Sequence, residues 1–341
     1  MTIILATAWH PRGELGRFLK LLPLLQQAYS GISISLPPET DTELVHHLQE
    51  LTQIEVVTTP DWSRGRSLAL ELALELPGTH IQYVDFDRLL RWVETSQGEW
   101  EDILREIQEY DCLIIGRSAG SYQTHPQALI QTEAISNLVV SHLVGQPLDV
   151  SAGSKGFSRK ACEYLVANCE PGHALGTDAE WPLILKRAGF QVNSVSVDGL
   201  DWESADRFRE EAADHQSQKK EAEIYDADPQ NWSRRVAVAM EIVQVGFETV
   251  NRKLTPLSGQ KGLDLGILNI PDQEGFDFEA VFDVQDYLYF YQESLTLERT
   301  QMEVDALVRE LSLDEDCSIL DLACGFGRHA NALASLGHAV T

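Results

Sequence analysis

The stretch HIQYVDFD, residues 80–87, decides how this chain is read. Apolar and aromatic positions run into two aspartates one residue apart, which predicts a buried strand whose carboxyl end carries Asp85 and Asp87. Two carboxylates on the turn leaving a strand can share one hard divalent cation. Such an ion keeps several waters and binds through one or two carboxylates plus substrate phosphates. It also neutralises a diphosphate as the bond to it breaks. A second reading is a solvated strand end whose aspartate caps the next helix. The motif alone does not choose between them, and its surroundings must.

On the amino-terminal side, residues 3–7, GISISL (31–36) and IEVVT (54–58) are short apolar runs that predict strands. Between them, Leu15, Phe18, Leu19, Leu22 and Leu25 fall on one helical face, and so do Leu44, Leu48 and Leu51. Pro23 predicts a kink or a break in the first of these helices. Residues 67–76 read as a further helix. Beyond the aspartates, residues 89–93 begin another, Trp100, Ile103, Leu104 and Ile107 mark an amphipathic one, and DCLIIG (111–116) reads as a strand. Strands alternating with helices in this way predict a mostly parallel sheet with helices on both faces. Ligands of such sheets bind at the carboxyl ends of the strands, where Asp85 and Asp87 stand.

Composition narrows the class of partner. The chain has 341 residues and a formal charge of −27, with 43% hydrophobic and 23% charged positions. Phosphate backbones and anionic lipid surfaces are repelled by such a charge, so neither nucleic acid nor a membrane is expected as a partner. No apolar run approaches the ~18 residues of a membrane span, and no signal peptide is read at the start, so a cytoplasmic location is expected. Cys112, Cys162, Cys169, Cys317 and Cys324 show no metal or disulfide spacing. Basic residues gather at Arg64 and Arg66, Arg88, Arg117, and Lys155 and Arg159. An anionic small substrate fits that local clustering.

With strands and helices in this order, residues 1–208 resemble the GT-A fold of nucleotide-sugar glycosyltransferases. SRGRSLALELALE (63–75) is similar to that family's glycine-then-alanine helix under the donor nucleotide. DVSAGSKGFSR (149–159) resembles the segment between donor and acceptor sugars, and GTDAEWPLILKRAGF (176–190) the helix bearing the acceptor-side acid. The resemblance implies a metal-binding pair at Asp85 and Asp87 for Mg or Mn, and a general base at Asp178 with Glu180 as its substitute. A carboxylate in reach of the acceptor hydroxyl can take its proton, which an inverting transfer requires. Asp178 also reads as a helix cap, since Glu180 follows close behind. Arg64, Arg66, Arg88 and Lys155 are the candidate diphosphate partners, because guanidinium groups pair with phosphate oxygens. His125 reads as an exposed turn residue, and Trp181, Trp202 and Trp232 as core. The chain departs from the family pattern after its first two strands, in ATAWHPRG and SLPPETD, which leaves the nucleotide base open.

Residues 209–254 read as a helical connector, with the charged run EEAADHQSQKKEAE followed by an apolar helix over 236–250. Residues 255–275 have the proline and glycine content of a linker. Residues 276–341 close on SILDLACGFGRHANALASLGHAVT, a strand, glycine turn and helix that aim a helix N-terminus at a cofactor. From FDVQDYLYFYQESLTLERT (282 onward) this part resembles the opening of class I S-adenosylmethionine-dependent methyltransferases, which implies cofactor contacts at Asp321, Gly325 and Gly327. Thr341 falls inside the next strand, so the fragment is expected to be inactive and not to bind S-adenosylmethionine. Its apolar strand needs cover, expected from the first domain, from another copy in a homo-oligomer, or from further chain.

Three readings of the whole follow. The first is a metal-dependent glycosyltransferase with an unknown acceptor. The second is a methyltransferase completed by further chain or by a partner. The third is a Mg-dependent phosphohydrolase or a non-catalytic sugar-nucleotide-binding module, which fold-level analogy also allows.

Overall fold

A computed structural model describes residues 2–255, 296–313, 317–321 and 327–341. The chain divides into two compact units, Met1–Leu268 and Asn269–Thr341.

In the first unit the elements follow as β1 (Ile3–Ala8), α1 (Leu15–Ala28), β2 (Gly31–Leu36), α2 (Thr42–Gln49), β3 (Ile54–Thr58), α3 (Gly65–Glu75), β4 (His80–Val84), α4 (Phe86–Thr95) and α5 (Gln97–Ile107). Then come β5 (Cys112–Arg117), α6 (Ala119–Tyr122), α7 (Gln127–Val144), β6 (Ser154–Ser158), α8 (Arg159–Asn168), α9 (Thr177–Arg187), β7 (Val192–Val197), α10 (His215–Asp226) and α11 (Pro229–Asn251). The seven strands form one sheet in the order β3-β2-β1-β4-β6-β5-β7. All neighbours are parallel except β6, which runs antiparallel to both β4 and β5. The α/β class and mostly parallel sheet expected from the alternation are therefore what the chain forms.

The apolar runs explain the sheet. β1, β2, β4 and β5 are buried almost throughout, as strands covered on both faces must be. One large core joins Phe18, Leu22 and Leu25 of α1 to Phe86, Leu89, Trp92 and Trp100, with Trp9 stacked on Phe86 at 4.2 Å. Pro23 does not break α1, contrary to expectation. Its ring removes only the bond to the carbonyl of Leu19, an exposed residue, while the buried leucines on either side hold the helix to the sheet.

Two arginines from neighbouring helices brace the loop after β7. Arg17 of α1 reaches Asp206 at 3.1 Å and Glu94 at 2.9 Å. Arg91 of α4 reaches Asp206 at 2.8 Å and Asp201 at 2.6 Å. Their planar forks fix a loop that has no strand or long helix of its own.

The second unit contains α12 (Leu297–Glu310), β8 (Ser318–Ile319), α13 (Arg328–Ser335) and β9 (Ala339–Val340). β8 and β9 pair in parallel, and Gly327 enters α13 with φ +67°, a left-handed conformation that glycine adopts freely. Asp321 donates its backbone N–H to the Thr341 carbonyl at 2.9 Å. Gly325 and Cys324 lie outside the described residues, as does most of the stretch over 255–275. No helix among the described residues is long and apolar enough to cross a membrane.

Candidate functional site

A cleft of about 360 Å³ opens at the carboxyl ends of β1 to β4. Its floor is Ala8 after β1, Ser35 and Leu36 of β2, Thr59 after β3, and Asp85 after β4. Gly65 and Arg66 at the start of α3 form one side. The turn at 174–176, Asp178 of α9 and the α11 residues Val238 and Ile242 form the other. The loop after β7 closes the mouth with Glu203, Ser204 and Arg207.

Asp85 begins α4, and its backbone N–H donates to the Gly153 carbonyl at 2.9 Å, which ties it to the turn before β6. Its carboxylate accepts from Arg66 at 3.0 and 3.2 Å and from the Tyr83 hydroxyl at 2.8 Å. Arg66 spans onward to Asp178 Oδ1 at 2.8 Å, and Lys155 Nζ donates to that same oxygen at 2.6 Å. Lys155, on β6, is fully buried and also donates to the Val150 carbonyl. Tyr83, Asp85, Arg66, Asp178 and Lys155 thus form one continuous buried chain of polar contacts. Burial opposes the Arg66 charge, but Asp178 and then Asp85 outweigh it and hold the guanidinium well above its usual pKa. Asp178 Oδ2 has no protein partner among the described residues.

Asp87 differs from Asp85. Among the described residues it accepts only the backbone N–H of Arg88, at 3.0 Å, and no lysine or arginine side-chain nitrogen lies within 4.0 Å of its carboxylate. Burial, then the nearby carboxylates of Glu203 and Asp85, push it up to about 7. Burial opposes the Glu203 charge, but Arg88 at 3.6 Å, together with Arg235 and Arg207, lowers its pKa.

The candidates read from sequence therefore separate. Asp85, Asp87, Asp178, Arg66 and Arg88 line the cleft. Arg66 and Lys155 are committed to carboxylates, and Arg88 to Glu203 and the Ala152 carbonyl. Arg64 and Lys155 do not line the cleft, and neither does Glu180, which is fully buried with Arg252 and the Glu170 backbone. His125 is not an exposed turn residue: it is buried, with Nδ1 3.1 Å from the Ser121 carbonyl. Burial first, then the charges of Arg117 and Arg88, hold its ring well below the usual histidine pKa. Trp181 and Trp202 are core residues.

Three cleft residues were not singled out from sequence. Trp62 lines the cleft 65% exposed, a large aromatic face with little cover. Arg12 and Arg207 line it too, and neither guanidinium has a carboxylate within 4.0 Å among the described residues. In sequence they are one tryptophan and two arginines in ordinary loops. Only the meeting of the loops after β1, β3 and β7 makes them a group.

Divalent-ion binding can be tested against these contacts. Asp85 is already closed by a guanidinium and a hydroxyl, which are the contacts an ion would have to replace. Among the described residues, no three His, Cys, Asp or Glu side chains converge on a metal position. The joint Asp85–Asp87 site for Mg or Mn expected from sequence would therefore form only if Asp85 gave up its contacts with Arg66 and Tyr83.

Gly153 makes the geometry sensitive. Its φ is +67°, and a Cβ there would lie 2.3 Å from Asp85 Oδ2. Gly153→Ala should push Asp85 off Arg66 and lower stability by about 1–3 kcal/mol, through left-handed strain and overpacking. Urea denaturation measures this, and an unchanged midpoint would show that the turn adjusts without moving Asp85.

No family model matches the chain, and no curated protein matches it. Among solved structures it is similar to glucosyl-3-phosphoglycerate synthase from Mycobacterium tuberculosis in complex with Mn2+, UDP-glucose and phosphoglyceric acid. The identity is 12% over 76% of this chain and 88% of that one, with a TM-score of 0.40. S. aureus TarS 1–349 matches at 12% identity over 73% and 72%, with a TM-score of 0.36. A mycobacterial protein matches at 16% identity over 57% of this chain, with a TM-score of 0.40. This chain spans 65% of that protein's length.

Proposed function

We propose that the first unit transfers a sugar from a nucleoside-diphosphate sugar to an acceptor hydroxyl. One observation carries this reading: a polar cleft at the carboxyl ends of parallel strands, in which Asp178 presents an open carboxylate oxygen while arginines line the opposite mouth. The acceptor hydroxyl loses its proton as it attacks the anomeric carbon, and Asp178 Oδ2 is placed to receive it. Arg66 and Lys155 hold that carboxylate in position through Oδ1. The departing diphosphate needs positive charge around it, and the cleft supplies that as guanidinium groups.

Asp321 and Gly327 have no part in this proposal. The reading rests on the first unit alone.

The decisive experiment offers uridine, guanosine and adenosine diphosphate sugars to the whole chain and follows release of the nucleoside diphosphate. Consumption of one donor class supports transfer. Release of inorganic phosphate with no donor preference would instead indicate a phosphohydrolase, and binding without turnover a non-catalytic module.

Trp62 is the residue placed to stack on the base or sugar of the donor. Stacking on an aromatic face contributes about 1–3 kcal/mol per base. Trp62→Ala should therefore weaken nucleoside diphosphate binding by about 5–150-fold and leave the thermal transition unchanged, since an exposed side chain contributes little to the core. Equal affinities in calorimetry would remove Trp62 from the site.

A further inference from the structure

Charge matching inside the cleft leaves one group unexplained. Asp85 and Asp178 are matched by Arg66 and Lys155, and Glu203 is matched by Arg88. The remainder is Asp87 against Arg12 and Arg207. These two arginines come from segments 195 positions apart in a chain of strongly negative charge, and a hydrogen bond from the Phe208 N–H to the Arg12 carbonyl, at 3.2 Å, holds their segments together. They are close enough to repel. Partial burial and then the Arg12 charge lower the pKa of Arg207. Asp87 and Glu203 offset this only from beyond ion-pair distance, and two like charges so placed are relieved further by an anion from outside.

A divalent ion at Asp87 meets the opposite situation. It would have one carboxylate not already ion-paired, and it would stand beside two guanidinium groups that repel it. A diphosphate there finds planar donors that match its oxygens.

We propose that this cleft grips the diphosphate of its donor with Arg12 and Arg207, and that it does so without a divalent cation. The inference rests on the donor reading given above and deepens it. Arg12 and Arg207 supply at the phosphate oxygens the positive charge that a metal ion would otherwise bring.

Calorimetry on the full chain tests this, with UDP, GDP and ADP as probes, each in excess EDTA and in excess MnCl2. The expected result is that at least one probe binds with the same Kd, within threefold, in both conditions. Arg12→Gln with Arg207→Gln should weaken that binding by at least about tenfold, as loss of two charge-assisted contacts implies. Neither guanidinium has a carboxylate within 4.0 Å among the described residues, so the variant should melt close to the parent. Asp87→Asn should bind the probe at least as tightly as the parent, because a negative charge leaves the phosphate site. Binding that appears only with Mn2+ and vanishes in Asp87→Asn would overturn the inference while keeping the donor reading. Binding of no probe under either condition would overturn both.

Discussion

Asp178→Asn should lower stability by about 3–5 kcal/mol and cut sugar transfer by about 10²–10⁴-fold, while nucleoside diphosphate affinity changes little. The stability loss follows from Lys155, which is fully buried with Asp178 as its sole carboxylate partner among the described residues. Its other contacts are the Val150 carbonyl and the Trp181 ring at 6.0 Å, neither of which carries a full opposing charge. Arg66 keeps Asp85 and is less affected. The catalytic loss follows from Oδ2, because an amide at that position cannot accept the acceptor's proton. Denaturant melts and a split between kcat and donor affinity check the two halves separately. A stability loss with transfer intact would confine Asp178 to a structural role as the counter-ion of Lys155.

The second large effect is expected far from the cleft floor. Asp206→Ala should destabilise the chain by about 1–3 kcal/mol, because Arg17 keeps Glu94 and Arg91 keeps Asp201 but each loses one buried charge-assisted contact. The same change frees the loop that carries Glu203 and Arg207, so nucleoside diphosphate affinity should fall even at temperatures where the chain remains folded. Hydrogen exchange over residues 201–214 would show that loosening directly. Protection equal to the parent's would mean that the backbone bonds of the loop hold it without the arginine clasp.

The strands β1 to β5 were legible because each is a short, nearly continuous apolar run with a helix-spaced segment after it. β6 was not, and the reason is chemical. SKGFS holds a lysine and a glycine, which read as a loop. Gly156 is there because a Cβ would come within 2.5 Å of Ile107, and Lys155 is tolerated because Asp178 meets it from a helix 23 residues on. Both causes are tertiary, and neither leaves a local signal. The same holds for the cleft. Asp85 and Asp87 could be placed at a strand end from periodicity, but not that Arg66 would take one and leave the other. Arg64, Arg66, Arg88 and Lys155 drew attention as local gatherings of basic residues in an acidic chain. Arg12 and Arg207, whose guanidinium groups have no carboxylate within 4.0 Å among the described residues, look in sequence like any two surface arginines.

The antiparallel strand has a consequence for how this molecule is made. β4 and β5 never touch as neighbours, because β6 lies between them. As the chain leaves the ribosome, β1 to β4 can pair early, yet the free edge of β4 must wait on the order of seventy residues for β6. At bacterial-to-eukaryotic synthesis rates that wait is about 4–14 s, during which β4 is an open template for a foreign strand. The strand that ends the wait also delivers Gly153 and Lys155 to Asp85 and Asp178. The cleft needs later chain as well, because Asp178, Glu203, Arg207 and Ile242 all follow β6, so binding of a nucleotide to stalled ribosome complexes should begin only once α11 has emerged.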